Sequence, residues 1–329
     1  MSMLAPALQA FFTTRLGNER DVSPHTVDSY RHTFRLLLGY AKERTGKAPS
    51  ALALSDLDAA LVSSFLDHLE RDRGCGVGTR NTRLAAIHSF FTFASYRHPE
   101  HAETIRQVLA IPQKKSERRP RSFLTPTEMD ALLAAPDRGT STGRRDHVLM
   151  ALALRTGLRL SELTGLRCQD VELGVGAHVK CLGKGRKRRD TPLDKTTAAL
   201  VRAWLKERRG EPDDPLFPSR HGGRMSADAV QRLVTKHVAQ ARASCPSLRS
   251  KRVTAHTLRH SCAMELLASG LDIATLALWL GHENLDSVNA YVHSDLTIKE
   301  RALARRAPLK AKAGRYRPGD ALLAFLEGL

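Results

Sequence analysis

Apolar residues recur at three- and four-residue spacing along almost all of this chain, and the pattern changes to alternation in one place, residues 177–193. An α-helix turns every 3.6 residues and a strand alternates every two. The first spacing therefore lays an apolar stripe along a helix, and the second marks a half-buried strand. A chain patterned this way is mainly α, with helices packed on helices and one small β-sheet.

Several helices can be placed one by one. Ser23-Pro24 is an N-cap followed by proline at the first helical position, and Val27, Tyr30, Phe34, Leu37 and Ala41 follow at helical spacing. Ser55 reads as the cap of a second helix carrying Leu57, Leu61, Phe65 and Leu69. A third is expected after the Gly-rich turn Gly74–Gly78, with Leu84, Ile87, Phe91 and Ala94 on one face. Arg80 and Arg83 lie near its start, where a solvated face and a phosphate contact are both open readings.

Periodicity then stops. Residues 113–123 hold Pro120 and the bases Lys114, Lys115, Arg118, Arg119 and Arg121, and they read as a basic linker. Beyond it, Thr125-Pro126-Thr127-Glu128 has the form of a capping box. Residues 144–155 read as an apolar helix stopped by Gly157. In the alternating stretch, Ala177, Val179 and Cys181 interleave with His178 and Lys180, and Gly183-Lys184-Gly185 makes the turn. Pro192 on the returning strand points to a sheet edge, since proline cannot donate to a ladder. Further helices are expected at 195–209, 226–243, 256–268, 272–280 and 286–303. The division that results is a helical domain over 1–112, the linker over 113–123, a second domain over 124–306 and a tail over 307–329.

Composition narrows the partner. Lys and Arg number 52 against 34 acids, a formal charge of +18, which favours a polyanion such as nucleic acid. No apolar run approaches the roughly 18–20 residues that cross a bilayer, and no basic amphipathic helix with aromatic anchors suits a membrane surface. The first residues lack the basic start of a signal peptide. Five scattered cysteines with no CxxC read as reduced packing thiols, consistent with a cytoplasmic, nucleoid-associated protein.

Three short motifs carry the chemistry. In Thr156-Gly157-Leu158-Arg159-Leu160-Ser161-Glu162-Leu163, an arginine follows a glycine break, and Glu162 stands one helical turn on, where it can orient the guanidinium. In His256-Thr257-Leu258-Arg259-His260, a base and a phosphate fork share one helix face. Gly281-His282 ends an apolar helix, and Tyr291 follows nine residues later. Each alone has an ordinary explanation: an i,i+3 ion pair, a common H-x-x-R and a packed tyrosine. Cutting DNA without a metal needs cationic multi-donor groups around the scissile phosphate, and a guanidinium can hold two phosphate oxygens at once.

Taken together and in order, TGLRLSEL, GKG, HTLRH, LGH and Tyr291 resemble the tyrosine recombinase/integrase family, especially its Xer-type, phage and transposon members. The resemblance implies a SAM-like helical core-binding domain over 1–112 and a catalytic domain over 124–306. It implies that Tyr291 attacks the phosphate to give a 3′-phosphotyrosine and a free 5′-hydroxyl. Arg159 and Arg259 would hold the non-bridging oxygens, His256 would assist Tyr291, Lys184 would protonate the leaving oxygen and His282 would hydrogen-bond the phosphate. Lys187 and Arg188, beside the turn, join Arg80 and Arg83 as candidate DNA contacts.

A free tyrosine has a pKa of about 10, so about 0.1% is phenolate at neutral pH, a cost of roughly 4 kcal/mol. Two guanidiniums and a base nearby can offset most of it. No metal and no other cofactor is expected. The resemblance implies double-stranded DNA as the partner, bound by a homotetramer on two core sites, with or without a partner recombinase, and strand exchange through a Holliday junction. No extra N-terminal arm-binding domain is expected. The tail is basic at first and apolar over Asp320–Leu326, too short to hold as a lone helix, so it should dock. The resemblance implies docking on a neighbouring protomer, and docking within its own protomer is the alternative. The rival readings are a type IB topoisomerase-like enzyme and a DNA-binding regulator that keeps the fold without the catalysis.

Overall fold

The computed structural model describes residues 3–19, 22–115, 122–183, 188–281 and 325. The chain divides into two compact units, Met1–Arg119 and Pro120–Leu329. The expected helix at 286–303, the tail apart from Phe325, Lys184, Lys187, His282 and Tyr291 lie outside the described residues.

The first unit is helical. Helix α1 (Leu4–Ala10) runs into a π-wound stretch, Phe11–Glu19, and is followed by α2 (Pro24–Thr45), α3 (Ala59–Arg71), α4 (Val77–Ser95) and α5 (Ala102–Leu109). Ser23 caps α2 as its sequence indicates, accepting from the Thr26 N–H, and the helix ends at Gly46 with φ +72°. Phe11, Phe34 and Phe90 meet in edge-to-face pairs with ring centres 5.3–6.2 Å apart. Around them the stripe residues Leu37, Ala41, Phe65, Leu69, Leu84, Ile87, Phe91 and Ala94 are buried.

Two helix starts differ from the sequence expectation. Ser55 caps nothing; it lies in a 3-10 turn, Leu54–Asp56, and α3 begins three residues later with Asp58 Oδ1 accepting from the Leu61 N–H at 2.8 Å. The backbone at Leu57 (φ −97°, ψ 54°) separates the two segments, so Leu57 enters the core from the connection rather than from the helix. Gly78 is inside the first turn of α4, because Gly76 takes the N-cap position.

The second unit begins with α6 (Pro126–Ala134), whose capping box is complete: Thr125 Oγ1 accepts from the Glu128 N–H, and Glu128 accepts from the Thr125 N–H. Helix α7 (Ser141–Thr156) is buried along most of its length. The short α8 (Leu160–Gly165) follows, then a three-stranded antiparallel sheet in the order β1 (Val171–Glu172), β2 (His178–Leu182), β3 (Arg188–Pro192). Pro192 is on an edge strand, as expected. Strand β1 was not anticipated, because two residues are too few to show a period. Helices α9 (Lys195–Arg208), α10 (Ala227–Ala241), α11 (Ala255–Ala268) and α12 (Ile273–Leu280) complete the described part.

Helix α7 packs on both α9 and α11. Leu149, Leu152, Val201, Trp204, Val234 and Leu258 form one core, and Met264, Leu276 and Leu280 form a smaller one under α12. Among the described residues no helix is long and apolar enough to cross a membrane.

Gly157 turns the chain between α7 and α8 and does so under two constraints. Its φ is +63°, and a Cβ there would lie 2.7 Å from Leu280 Cδ2 and 3.2 Å from Cys262 Sγ. Gly157→Ala should therefore destabilise the unit by about 1–3 kcal/mol, combining left-handed strain with overpacking. Thermal or denaturant unfolding of the variant measures this. An unchanged midpoint would mean that α12 yields without cost.

Candidate active site

The site grows from the ends of three helices. At the α7–α8 junction Arg159 occupies an N-cap position and has no side-chain oxygen with which to cap. Glu162, at the third helical position, compensates: its Oε2 accepts from the Arg159 N–H at 2.7 Å and its Oε1 from Arg159 Nη1 at 2.9 Å. Glu162 thus contacts Arg159 through both of its carboxylate oxygens. Arg159 Nη2 donates across the site to the Gly281 carbonyl at 2.6 Å.

Arg259 sits in the first turns of α11 and is 3% exposed. Its Nη1 donates to the Gly157 carbonyl, and its Nη2 donates to the Leu280 carbonyl at 2.7 Å. The two guanidiniums therefore grip consecutive carbonyls at the C-terminal end of α12, where unpaired carbonyls and the helix dipole attract cations. Trp279 Nε1 ties the same helix to the Thr156 carbonyl at 3.1 Å. Gly281 immediately precedes His282 in the chain.

His256 stands exposed at the second position of α11, one turn before Arg259. Thr254 Oγ1 caps this helix, accepting from the Thr257 N–H, and Gln231 Oε1 accepts from the Ala255 N–H at 3.1 Å. A cavity of about 380 Å³ is lined by Arg159, Ser161, Gln231, Ala255, His256 and Arg259, among others. Two cations and an imidazole thus face one hollow large enough for a phosphate group.

The carboxylate behind Arg159 is shared. Arg189 of β3 donates from Nη1 to Glu162 Oε1 and from Nη2 to Glu162 Oε2, each at 2.9 Å. Burial pushes the Glu162 carboxyl up, but hydrogen bonds from Arg189 and from Arg159 outweigh it and leave the group below the usual carboxylate range. A carboxyl depressed on folding adds stability above its unfolded pKa and loses it as pH falls through the folded value. Glu162→Gln should therefore be less stable than the parent at neutral pH, and the gap should begin to narrow below about pH 4.3, the ordinary glutamate value, and close as pH falls through the lower folded value. Melting temperatures of both proteins across this range test it. A gap independent of pH would contradict the charged state of Glu162.

Arg189 was not singled out by sequence reasoning. Its signal lay in the period of two: Arg188 is exposed at the strand start and Arg189 turns inward beside Thr191, and an inward arginine requires a carboxylate partner. Arg188 remains on the surface, opposite Leu182 in the hairpin register.

In the first unit, Arg80 is not placed as a surface phosphate contact. It is 5% exposed, and its Nη1 donates to the Pro112 carbonyl at 2.8 Å and to Asn81 Oδ1 at 3.1 Å. It holds the end of the unit against α4. Arg83 is half-buried and donates to the Ser29 carbonyl and Thr33 Oγ1 at 3.1 Å each, which ties α4 to α2.

Comparison with known proteins places both units. Residues 122–297 match the model of the phage integrase family, and residues 10–98 match the phage integrase N-terminal SAM-like domain. The chain is similar to the Sinorhizobium fredii protein named "Putative integrase/recombinase y4rC", with 51% identity over 99% of this chain and 98% of that one. It is 30% identical to the tyrosine recombinase XerC of Pelotomaculum thermopropionicum over 86% of this chain and 92% of that one. In fold it is similar to the Tn1549 transposon integrase solved with circular intermediate DNA, with a TM-score of 0.69 at 18% identity over 93% of this chain and 100% of the other.

Proposed function

The chain belongs to the phage integrase family of tyrosine recombinases, and on that premise we propose that it exchanges DNA strands between two core sites through a covalent 3′-phosphotyrosine at Tyr291. The coarse activity, DNA strand breakage and rejoining, follows from the family. The observation that most supports the finer reading is the convergence of Arg159, Arg259 and His256 on one cavity, beside the carbonyls that lead into His282.

In this reading the Tyr291 oxygen attacks the scissile phosphorus, with His256 receiving or sharing the phenolic proton. Arg159 and Arg259 hold the non-bridging oxygens as negative charge grows on them. The bond to the 5′-oxygen breaks, and Lys184 gives that oxygen its proton. A lysine can do this in a cationic site where an arginine cannot. His282 hydrogen-bonds the phosphate. One phosphoester replaces another, so no nucleotide is consumed. Attack by the 5′-hydroxyl of the second duplex reverses the step and joins the new strand.

Four copies on two sites carry out the exchange by way of a Holliday junction. Residues 1–112 bind the core site, 113–123 link them to the catalytic residues 124–306, and the apolar end of 307–329 docks on a neighbouring protomer. Lys187 and Arg188 contact the DNA backbone next to the cleaved bond.

The test is a nicked duplex carrying DNA that flanks the gene, from which the short 5′-hydroxyl fragment diffuses away after cleavage. The expected product is a denaturant-stable protein–DNA adduct that maps to the peptide containing Tyr291. Tight binding with no adduct on any such substrate would instead identify a DNA-binding regulator.

A further inference from the structure

The Glu162 side chain is 2% exposed and accepts four hydrogen bonds, two from Arg159 and two from Arg189. Arg189 is itself mostly buried, with 13% of its side chain exposed. Arg159 is more open, at 28%, and it alone of the two arginines lines the cavity. A buried carboxylate needs a cation nearby. If Arg159 were its sole partner, the pair would be close to neutral, and little positive field would remain for a phosphate. A second guanidinium changes the sum. One carboxylate between two arginines leaves one net positive charge, on the side that faces the cavity.

The geometry assigns the partners. Arg189 meets Glu162 fork to fork, the arrangement in which a guanidinium neutralises a carboxylate most fully. Arg159 meets it through one Nη and its backbone N–H, and turns its other Nη towards Gly281. Gly281 also makes room for the second arginine, since a Cβ there would lie 2.5 Å from Arg189 Nη1.

We propose that Arg189 is a positioning residue that neutralises Glu162, so that the carboxylate orients Arg159 without cancelling its charge towards the scissile phosphate. This rests on the phosphoryl-transfer reading of the cavity. It makes strand β3 part of the active-site electrostatics through a residue that does not line the cavity.

A charge-balance cycle tests it in the full-length chain. Arg189→Gln should slow adduct formation on the nicked duplex by about 10- to 100-fold, the effect of one unit charge a few ångströms away in a half-buried site. Removing the carboxylate as well, in Glu162→Gln with Arg189→Gln, restores the net charge and should recover at least about fivefold of that loss. Arg189→Lys keeps the charge without the fork and should stay closer to the parent than Arg189→Gln. Arg106→Gln, which removes a charge from the first unit, sets the baseline for lost basicity. A double variant no faster than Arg189→Gln, or a lysine variant as slow as the glutamine one, overturns the proposal.

The same cycle is read in melting temperature, which needs no cleavage. Arg189→Gln should lower it, and the added Glu162→Gln should raise it again. If the parent forms no adduct, the cleavage reading fails while neutralisation is still judged here, and strictly additive shifts overturn it. Loss of folding in Arg189→Gln that the second substitution reverses supports it.

Discussion

With phenylalanine at position 291 the chain should bind its DNA site as the parent does and form no covalent adduct. The substitution removes one oxygen and keeps the ring, so packing around it changes little. What disappears is the atom that bonds to phosphorus. Arg159, Arg259 and His256 can still hold a phosphate in their cavity, but a bound phosphate with no nucleophile does not react. The loss should be about 10⁴-fold or more, the scale seen when an enzyme loses its nucleophile. Adduct yield on the nicked duplex and binding by gel shift, measured on the same preparation, separate chemistry from affinity. An adduct that persists would place the nucleophile elsewhere in the chain.

The second large effect should come from Arg259→Gln, for two reasons that can be told apart. In the reaction, a guanidinium on the transferring phosphoryl group is worth about 10³–10⁵ in rate. In the fold, Arg259 joins the Gly157 carbonyl to the Leu280 carbonyl, and glutamine cannot span both. Leaving a buried carbonyl unpaired costs about 1–3 kcal/mol, so the melting temperature should fall as well. Arg259→Lys keeps the charge but has no fork, and it too should lose far more than tenfold in cleavage. Single-turnover cleavage at a temperature well below each variant's midpoint isolates the catalytic part. If folded Arg259→Gln cleaves within tenfold of the parent, Arg259 is a strut between α7 and α12 and not a phosphate ligand.

The elements that the sequence placed well are those whose cause lies within a few residues. Ser23 and Thr125 cap their helices because a side-chain oxygen reaches an N–H three positions on. Gly157 stops α7 because it adopts positive φ without strain. The hairpin was visible because alternation reports a half-buried strand, and the motif residues were visible because their order along the chain matches a known family. The start at Ser55 was misplaced because Asp58, a turn on, caps instead, and the start after Gly78 because Gly76, two residues earlier, takes the N-cap position.

Residue order alone did not reveal what the long side chains would meet. Arg80 and Arg83 look alike on the helix, yet Arg80 is sealed against the Pro112 carbonyl, 32 residues away, and Arg83 is tied to α2. Arg159 finds Gly281 at a separation of 122 residues, and Arg259 finds Gly157 at 102. Arg189 is distinguished from Arg188 by which face of β3 meets Glu162. Periodicity reports the face and the end of an element, because these depend on the chain's own geometry. It does not report which carbonyl or carboxylate another element will bring within 3 Å. Residue order along the chain was enough for a mainly helical fold and for the motif series that matches the tyrosine recombinases. Tertiary packing decided that Arg159 and Arg259 grip the end of α12, and that Arg189 shares the Glu162 carboxylate with Arg159, because buried charges settle wherever the fold supplies a partner.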